Sequence, residues 1–389
     1  MKRVDPYPIL EARIRTGVYP AGTWLTPERQ LAEELGVHRQ TIRRAVERLS
    51  EAGLLDRKPS HRPVIRRTDA PVASGNTVAL LMGADPIFRP FQQVLRGCER
   101  ELGSLGYRMV FMDTMGRDSV STREREFRAL DSLLEHPVAG LVIWCQAPVA
   151  SLPRLEQLRA TGMPIVALDR FIRHLDADFV AVDNFSAAAH VVDHLSELGH
   201  ERIGLITLPE TSTSVIDRET GFRAALDRRG LHLDESHIFR LPESPASGED
   251  DYEQIACGIF ENSNRPTAVF AVNDVLAWRL LSVVCAGGKR VPEDLAIVGF
   301  DDLEGWAMHK PVLTTIRLPY EDIGRHAASL LLQRLKTPEA AIRHLLLDTS
   351  LVVRSSTVGD TEDVSTTLRS AWSPAVLMPQ RAGVSTALR

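Results

Sequence analysis

Residues 25–45 read LTPERQLAEELGVHRQTIRRA, and this stretch predicts two short helices joined by a tight turn. The first helix is expected from Thr26, as its N-cap, to Gly36, and the second from about Arg39 to Ala52. In the second helix apolar residues recur at positions i, i+3, i+4 and i+7, and the opposite face carries arginines. Two helices joined by a glycine-containing turn, the second of them basic at its N-terminal end, are typical of a DNA-binding helix-turn-helix.

A short β-hairpin is predicted directly after the second helix. Its strands would be residues 54–57 and 63–67, and its tip would be residues 58–62. A hairpin at this place is the wing of a winged helix, and a shorter helix at 8–15 would complete the domain. We therefore expect a winged helix-turn-helix DNA-binding domain over residues 1–67.

The helices and the hairpin together resemble the winged-helix domain of the gluconate-repressor (GntR) family of bacterial regulators, over residues 7–67. The family's Leu-Pro-Ser-Glu-Arg-x-Leu-Ala segment corresponds to LTPERQLA at 25–32, and its Gly-Val-Ser-Arg-x-Thr-Val-Arg-x-Ala segment corresponds to GVHRQTIRRA at 36–45. The resemblance implies that this domain binds operator DNA. The expected DNA-binding residues are Arg29, Arg39, Gln40, Thr41, Arg43, Arg44, His61 and Arg62.

The resemblance also implies separate roles for these side chains. Arg29 and Thr41 are expected to hold DNA phosphates, whereas Arg39 and Arg43 are expected to reach the major groove. An arginine can donate two hydrogen bonds to one guanine there, which suits base recognition. His38 stands where the family has serine or threonine, and histidine is expected to be a poorer helix cap. The alternative for the whole segment is a solvated, arginine-rich helix face on an unrelated domain.

The charge of the chain is divided between two parts. The 389 residues carry a formal net charge of −5, but residues 1–67 hold 14 basic and 8 acidic residues, a net charge of +6. The remainder holds 32 basic and 43 acidic residues, a net charge of −11. A basic head on an acidic body indicates that one small domain alone binds a polyanion. Residues 68–76 are small, polar and interrupted by proline and glycine, which predicts a linker between the two.

The body alternates short apolar runs with helical segments. Continuous apolar runs of this kind predict strands of parallel sheets that are buried on both faces. A chain of this length with eight such runs should form two α/β subdomains. The eight runs are 78–82, 109–112, 141–144, 165–168, 179–182, 203–207, 268–272 and 296–300.

The body resembles the effector-binding domain of the lactose/galactose repressor (LacI) family, which is itself similar to periplasmic sugar-binding proteins. The resemblance covers residues 77–355. It implies a first subdomain of about 77–182 and 318–345, and a second of about 183–317 and 346–355. The matching segments are PIVALDR at 164–170, VDN at 182–184, LGH at 198–200, RETGF at 218–222, AVND at 271–274, VGFDD at 298–302 and PVLTTIR at 311–317.

Several polar side chains directly follow the predicted strands. Ligands of open α/β sheets bind beyond the carboxyl ends of the strands. Charged planar groups can bond paired sugar hydroxyls there, and an aromatic side chain can cover the apolar face of a sugar ring. Together with the family resemblance, this pattern predicts effector contacts from Phe88, Phe91, Asp169, Ser214, Arg218, Asn273 and Asp301.

Each of these assignments has a structural alternative. Arg218 could lie on the surface, and the aromatic residues could belong to the core. Trp144 and Trp306 are further candidates for an aromatic wall. The acids for which helix capping is the alternative are Asp169, Asp274 and Asp302.

The sequence predicts a ligand-responsive bacterial transcription regulator of the repressor type, without cofactor or metal. Its expected partners are operator DNA, a sugar effector and a second copy of the chain. A cytoplasmic location is expected, because no run of about 18 apolar residues could span a bilayer and no secretory signal precedes the head. The combination of head and body resembles arabinose-type repressors, which favours a pentose. Residues 356–389 lack a periodic pattern and are expected to be mostly disordered.

Two other function classes stay open at this point. The first is an enzyme that acts on a small sugar and carries an accessory nucleic-acid-binding head. The sequence contains no phosphate-binding loop, nucleophile elbow or dinucleotide motif in support of it. The second is a nucleoid-type DNA binder without an effector, whose DNA affinity no small molecule would change.

Overall fold

The computed structural model of the chain describes residues 5–15, 19, 22–56, 62–65, 75–83, 89–116, 119–209, 212–241, 249–303 and 311–359. Helices and strands are numbered in chain order. The described residues form a small helical head and a body that contains two six-stranded sheets. The predicted fold class, a winged helix-turn-helix followed by a two-part α/β body, is therefore confirmed.

The head contains the predicted helix-turn-helix and wing. Its helices are α1 (Pro6–Arg15), α2 (Glu28–Glu34) and α3 (Arg39–Glu51), and its wing strands β1 (Leu55–Asp56) and β2 (Val64–Ile65) pair antiparallel. The apolar residues at helical spacing in α3 are buried and share one core with the other elements. Their burial stabilises the head by about 25 cal/mol for each Å² of apolar surface removed from water.

The first two helices start at different residues from those predicted. α1 begins at Pro6, two residues earlier than expected. Thr26 is not the N-cap of α2, because the residue before the helix is Pro27 and its backbone is still extended, with ψ of 137°. Proline has no side-chain acceptor, so α2 begins without a side-chain cap.

The turn between α2 and α3 explains how the recognition helix begins. Gly36 has a left-handed φ of 61°, which glycine adopts without steric cost. His38, expected to cap poorly, does cap α3: its Nδ1 accepts a hydrogen bond from the Gln40 backbone N–H at 3.3 Å. A ring nitrogen thus replaces the usual hydroxyl at the start of α3.

The first sheet of the body is parallel and buried on both faces. Leu80 packs toward one pair of helices and Leu81 toward the other, because successive residues of a strand face opposite sides. The strands are β3 (Thr77–Met82), β4 (Arg108–Asp113), β5 (Gly140–Ile143), β6 (Ile165–Leu168), β7 (Asp178–Val182) and β13 (His344–Leu347), in the spatial order β4-β3-β5-β6-β7-β13. The helices are α4 (Arg89–Ser104), α5 (Ser119–Glu135), α6 (Pro148–Ala160) and α11 (Tyr320–Lys336).

The second sheet has the same design, except that one edge strand is antiparallel. The strands are β8 (Ile203–Thr207), β9 (Ile238–Arg240), β10 (Ala268–Ala271), β11 (Ala296–Asp301), β12 (Thr314–Arg317) and β14 (Ser350–Val352), in the order β14-β12-β11-β10-β8-β9. The helices are α7 (Asn184–Glu197), α8 (Thr213–Arg228), α9 (Glu249–Glu261), α10 (Asp274–Ala286) and α12 (Ser355–Val358). Only β14 runs antiparallel, against β12.

All eight predicted body strands are present, and four others were not predicted. β9, β13 and β14 are short edge strands with half-exposed or exposed residues, so they lack a continuous apolar run. β12 lies in the segment that the family resemblance marks only as a crossover. Three of the four missed strands are therefore edge strands without a continuous apolar run, whereas the edge strand β4 was found.

The chain passes between the two sheets three times. β7 leads directly into α7, and β12 leads into α11 through Leu318 and Pro319. β13 leads into β14 through residues 348–349, which is about three residues later than the crossing expected at 345–346. The carboxyl ends of β6 and β11 lie close to these passages, and they carry the predicted effector residues.

The predicted disordered tail begins too early. α12 includes Ser356 and Thr357, which are buried, and Ser356 Oγ donates a hydrogen bond to the Ile297 carbonyl at 2.6 Å. A polar turn without an apolar period can still be ordered when its hydroxyls satisfy buried backbone groups. Residues 360–389 lie outside the described residues. Within the described ranges, no helix is both long and apolar enough to cross a lipid bilayer.

Candidate functional site

Two of the predicted effector residues sit where a strand ends in left-handed backbone. Asp169 directly follows β6 and has φ of 61°, and Asp301 is the last residue of β11 and has φ of 106°. Aspartate is one of the few residues with a side chain that tolerates this region. The chain reverses there and leaves both carboxyl groups at the ends of their sheets. Asp169 is buried, and the Asp301 side chain is 20% exposed.

Arg218, on α8, is buried and fixed on several sides. Its Nε donates a hydrogen bond to Asn184 Oδ1 at 2.8 Å, and its Nη1 donates one to the Val272 carbonyl at 2.6 Å. Its Cζ lies 3.6 Å from the centroid of the Phe300 ring, and its Nη2 lies 3.3 Å from Asp301 Oδ1. The predicted surface alternative for Arg218 is wrong, because its residue is only 5% exposed.

The pKa of the Asp301 carboxyl group is set by several effects that act in opposite directions. Burial raises its pKa to about 7, and the guanidinium of Arg218 acts in the opposite direction. The carboxylate of Asp169 raises this pKa further, and Arg170 lowers it. Asp169, Arg170, Arg218 and Asp301 therefore form one group of interacting charges, which we call the charged quartet.

Arg170 belongs to this group, although it was not among the predicted effector contacts. Its Nη1 donates a hydrogen bond to the Gln146 carbonyl at 3.2 Å, and its Nε lies 4.0 Å from Asp169 Oδ2. That Nε is buried and has no hydrogen-bond partner among the described residues. The signal in the sequence was its position directly after Asp169 at a strand end.

The loop after β5, whose Gln146 carbonyl accepts the hydrogen bond from Arg170, is itself anchored by a buried acid. Glu126, on α5, accepts hydrogen bonds from the backbone N–H groups of Gln146 at 2.6 Å and Ala147 at 3.2 Å, and one from the Ser151 hydroxyl. These donors lie at the start of α6, where a carboxylate also interacts favourably with the helix dipole. Gln146 thus presents its carbonyl to Arg170 from a fixed position.

Asn273 and Ser214 lie near the quartet on the second sheet's helices. Asn273 caps α10, with its Oδ1 accepting from the Leu276 N–H at 3.0 Å, and its amide NH₂ group remains as a donor. Ser214 is buried one helical turn before Arg218 and shares a hydrogen bond with the Ser212 hydroxyl at 2.8 Å. Asn273 therefore has a capping role that the sequence did not predict.

The other two strand-end acids are engaged within the protein. Asp274 is buried and accepts hydrogen bonds from Thr315 Oγ1 at 2.6 Å and from the Leu303 N–H at 2.8 Å. Asp302 is ion-paired with Arg317 at 2.6 Å and Arg354 at 2.7 Å. Neither acid caps a helix through its side chain, which corrects that alternative. For Asp169 also, the structure shows contacts with the quartet rather than a cap.

The aromatic candidates fall into different surroundings. Phe91 packs on Phe111 with ring centroids 5.1 Å apart, as expected for a residue at the core edge. Trp144 stacks with Tyr320 at 6.3 Å and 28°. Burial raises the pKa of Tyr320 well above its ordinary value, and the charges of Asp301 and Asp169 raise it further. Tyr320 was not predicted, because it starts a helix rather than following a strand. Phe88 and Trp306 lie outside the described residues.

A hydrogen bond joins the two halves of the body beside the quartet. The backbone N–H of Phe171, in the loop after β6, donates to Thr213 Oγ1 at the start of α8 at 2.9 Å. Phe171 follows Arg170, and Thr213 precedes Ser214. The bond therefore holds the candidate effector residues of the two sheets close together.

The candidate DNA interface is the exposed face of α2 and α3. The side chains of Arg29, Arg39 and Arg43 are 86%, 70% and 62% exposed. Each of them is paired with a glutamate of the head, at 3.4, 3.3 and 3.6 Å, respectively. Exposed pairs of this kind contribute little to stability, so DNA phosphates can replace the glutamates at small cost.

The remaining predicted DNA residues differ in their surroundings. Gln40 and Arg44 are exposed on α3, and Thr41 is half-buried. Arg62 donates a hydrogen bond from Nη2 to the Leu25 carbonyl at 2.6 Å, which ties the wing to the helices. One of its donors is therefore already used within the head. His61 lies outside the described residues.

The matches with known proteins follow the division into head and body. Residues 7–62 match the family described as bacterial regulatory proteins of the gntR family, and residues 192–357 match the periplasmic binding protein-like domain. The HTH-type transcriptional repressor CytR of Escherichia coli (strain K12) is 32% identical over 69% of this chain and 75% of its own length. The arabinose metabolism transcriptional repressor of Halalkalibacterium halodurans is 28% identical over 90% of this chain and 94% of its own length.

A solved structure shows the same architecture in the body. It is a LacI family transcriptional regulator from Enterococcus faecium with bound ribose, 28% identical to this chain. The match covers 73% of this chain and 100% of that one, with a TM-score of 0.59. These relatives are repressors and regulators rather than enzymes, which decides against the enzyme alternative. The chain therefore belongs to the family of bacterial transcriptional repressors whose body is periplasmic-binding-protein-like, and its head is a gntR-type winged helix.

Proposed function

We propose that a neutral sugar binds at the charged quartet and controls the affinity of the head for operator DNA. The observation that carries the proposal is the pair of the buried Arg218 and the partly exposed Asp301, at 3.3 Å, at the carboxyl end of a parallel strand. In open α/β sheets ligands bind at this edge. Both groups are held by the protein and both have capacity for further hydrogen bonds.

The charges of the quartet favour an uncharged effector. Two guanidinium groups and two carboxyl groups lie together, so when both carboxyl groups are ionised no surplus charge of either sign is left for a phosphate or a carboxylate ligand. A sugar hydroxyl can donate to a carboxylate and accept from an arginine, which matches this mixed set. Asn273 and Ser214 add neutral donors and acceptors at the same edge.

Aromatic side chains next to the quartet support a ring-shaped effector. Tyr320 lies beside Asp301, and Trp144 stacks on it. We propose these two residues as one apolar wall of the site, with the predicted Phe88 and Phe91 as further contacts. The ribose in the similar Enterococcus faecium structure and the arabinose repressor among the relatives favour a pentose or a molecule containing one.

Operator recognition is proposed for the exposed face of α3 and the wing. We assign phosphate contacts to Arg29 and Thr41 and base contacts to Arg39 and Arg43, with support from Gln40, Arg44, His61 and Arg62. The supporting observation is that the first three arginines are largely exposed and only weakly paired. The acidic body, with a net charge of −11 outside residues 1–67, leaves the head as the DNA contact.

A homodimer is proposed from an exposed apolar surface on the first sheet. β4 is an edge strand, and apolar residues on it and beside it are 37–51% exposed. An exposed apolar edge promotes aggregation unless a partner covers it. We infer that a second copy does so, which would place two heads on one operator in the cytoplasm. The residues are Leu105, Val110, Met115 and Val120.

We propose domain boundaries that follow the sequence prediction. The head would comprise residues 1–67 and the linker residues 68–76. The first subdomain would contain the first sheet and the second subdomain the second sheet. The supporting observation is that each sheet has its own strands and helices, and that the chain passes between them three times.

A thermal-shift titration of the purified chain tests the proposed effector. A ligand that binds only the folded state raises the melting temperature by an amount that increases with the ratio of its free concentration to its dissociation constant. The set would contain neutral pentoses and hexoses, nucleosides, and phosphorylated sugars. Stabilisation by a neutral compound supports the proposal. Stabilisation by phosphorylated compounds alone, or by none of them, contradicts it.

A further inference from the structure

The residue after Asp301 is also an aspartate, and it holds two arginines. The Asp302 side chain is 4% exposed; its Oδ2 accepts from Arg317 Nε at 2.6 Å, and its Oδ1 accepts from Arg354 Nη2 at 2.7 Å. Hydrogen bonds between charged groups are among the strongest in proteins, and breaking a buried pair is costly. We call Asp302, Arg317 and Arg354 the arginine clamp.

The two arginines of the clamp lie on or next to the paired strands β12 and β14, each of which adjoins a passage between the sheets. Arg317 is the last residue of β12, three residues before α11 begins at Tyr320. Arg354 follows β14, the strand that the chain enters after leaving the first sheet at β13. Arg354 Nη1 also donates to the Leu313 carbonyl at 2.8 Å, just before β12. One carboxylate thus connects the passage from β12 into α11 with the far end of β14, the strand that the β13–β14 passage enters.

The backbone at Asp302 and Leu303 is also held by hydrogen bonds. The Asp302 backbone N–H donates to Thr315 Oγ1 at 3.4 Å, and Thr315 Oγ1 donates to Asp274 Oδ1 at 2.6 Å. Asp274 Oδ2 accepts from the Leu303 N–H at 2.8 Å. The backbone N–H groups of Asp302 and Leu303 are therefore both attached to β12. The first is attached directly through Thr315, and the second through Asp274, which Thr315 contacts.

Asp301 and Asp302 cannot move independently. Both have left-handed backbone, with φ of 106° and 50°. Two consecutive residues in this restricted region leave the loop few alternative conformations. A shift of Asp301 relative to Arg218 is therefore expected to displace Asp302 and, through it, Arg317 at the start of the passage into α11.

We propose that Asp302 is a positioning residue that couples the effector edge of β11 to the passages between the two sheets. It does not contact the effector itself. Through the arginine clamp it links the position of Asp301 to the start of α11 and to the segment after β14. The inference rests on the proposed function for its biological role, whereas the mechanical coupling can be tested without any effector.

Hydrogen–deuterium exchange on the full chain, without ligand, tests the coupling. The variant is Asp302→Asn, because asparagine keeps the size of the side chain and tolerates the left-handed backbone. The matched control is Asp294→Asn, which removes an aspartate paired with Arg290 on the surface of the same sheet. In Asp302→Asn we expect roughly tenfold faster exchange in the first turn of α11 and in residues 354–358, since each lost charged hydrogen bond is worth about 1.5–3 kcal/mol.

The exchange pattern separates coupling from a local structural role. The control variant should leave both passages at the wild-type rate. Faster exchange confined to residues 299–303 in Asp302→Asn overturns the proposal. If the whole chain exchanges faster in Asp302→Asn, the variant has lost global stability. Exchange in the variants Arg317→Met and Arg317→Lys is then compared to decide whether the clamp couples the two regions. Arg317→Met should loosen residues 299–303 and Arg317→Lys should not, and equal behaviour of the two overturns the proposal.

A second readout connects the clamp to regulation. DNA selected by the wild-type chain from a random pool is titrated with and without D-ribose, by fluorescence anisotropy. If D-ribose changes the wild-type affinity, Asp302→Asn should keep DNA binding and lose most of that change. An unchanged response in Asp302→Asn overturns the proposal. If D-ribose has no effect on the wild type, that sugar is excluded as the effector, and the exchange experiment still decides on the clamp.

Discussion

Arg218 Nη2 lies 3.3 Å from Asp301 Oδ1, which joins α8 to the end of β11 at a buried edge of the second sheet. The ring of Phe300 covers the guanidinium, and the Asn184 side chain and the Val272 carbonyl fix its direction. A buried pair with this many partners contributes little to net stability compared with apolar packing. A binding role explains its place at the strand ends better than a stabilising role does.

Replacing Arg218 with methionine should remove the response to the effector and leave DNA binding intact. The guanidinium bonds of the effector are lost, while the head is far away in sequence and has its own core. Effector affinity should fall by about 100-fold or more, since a lost charged hydrogen bond costs about 1.5–3 kcal/mol and Asp301 loses its partner too. Calorimetric titration with the sugar found by thermal shift measures this. Arg223→Met, on the exposed face of the same helix, is the control; a normal response in Arg218→Met contradicts the assignment.

Effector binding should weaken as the pH is lowered from 8 to 6. The pKa of Asp301 is raised to about 7, so its carboxylate is mostly present at pH 8 and mostly protonated at pH 6. A proton competes with Arg218 and with sugar hydroxyls for the same oxygens, and one pH unit below the pKa costs up to about tenfold in affinity. Affinity measured across this range should follow the titration in the wild type and be flat in Asp301→Asn. The same dependence in both proteins would contradict this role of Asp301.

The stability of the unliganded chain should change with pH in the opposite direction. The folded-state pKa of Asp301 lies above its ordinary value of 3.8, so the folded protein binds this proton more tightly than the unfolded chain. The contribution of this group therefore rises as the pH falls from about 7 toward 4. His194 and His200 have lowered pKa values and act against it. The difference in melting temperature between wild type and Asp301→Asn isolates the carboxyl group; a constant difference from pH 5 to 8 would exclude it.

Replacing Arg170 with methionine should weaken effector binding with little loss of stability. Its Nε has no hydrogen-bond partner among the described residues, so the variant loses the bond to the Gln146 carbonyl, at about 1 kcal/mol, and the long 4.0 Å ion pair with Asp169. We expect a 10- to 100-fold weaker effector affinity, from about 1.5–3 kcal/mol for a charged hydrogen bond. Arg173→Met, an exposed arginine in the same loop, should bind normally. Equal affinity of the two variants would show that Arg170 is not a contact.

Replacing Arg43 with alanine should weaken operator binding without changing effector affinity. Its side chain is 62% exposed on α3 and is paired only at 3.6 Å with Glu47, so stability should change little. Loss of a base contact costs about 1–3 kcal/mol, or roughly 5- to 150-fold in affinity, and relaxes specificity at one base position. Anisotropy with the selected DNA measures this. Arg228→Ala in the body is the control, and an equal loss in both variants would indicate a nonspecific charge effect.

The sequence predicts the parts of the fold that repeat a physical pattern. The central strands are continuous apolar runs, and the apolar residues of α3 recur at helical spacing, so both are found. The edge strand β13 and the polar turn around Ser356 carry no such signal, because side-chain hydrogen bonds and one-sided packing hold them. The capping of α3 by His38 is also missed, because a histidine ring nitrogen accepts the hydrogen bond that a serine or threonine hydroxyl usually accepts.

The candidate site could be predicted only in part. Asp169 and Asp301 follow strands, so their positions are visible in the sequence. Tyr320 reaches the quartet from a helix that starts after a passage between the sheets, and only the three-dimensional path of the chain reveals that. Asp302 looks like another strand-end ligand in the sequence, yet its two arginine partners lie 15 and 52 residues away.

The most direct test of the central claim is the affinity of the wild-type chain for its selected DNA, measured by anisotropy at increasing concentrations of the stabilising sugar. Coupling between two sites is typically about 1–3 kcal/mol, so the dissociation constant should change by roughly 5- to 150-fold at saturation. The change should be absent in Arg218→Met, which still binds the DNA. A sugar that saturates the wild-type body and leaves its DNA affinity unchanged would contradict the claim that this chain is an effector-controlled repressor.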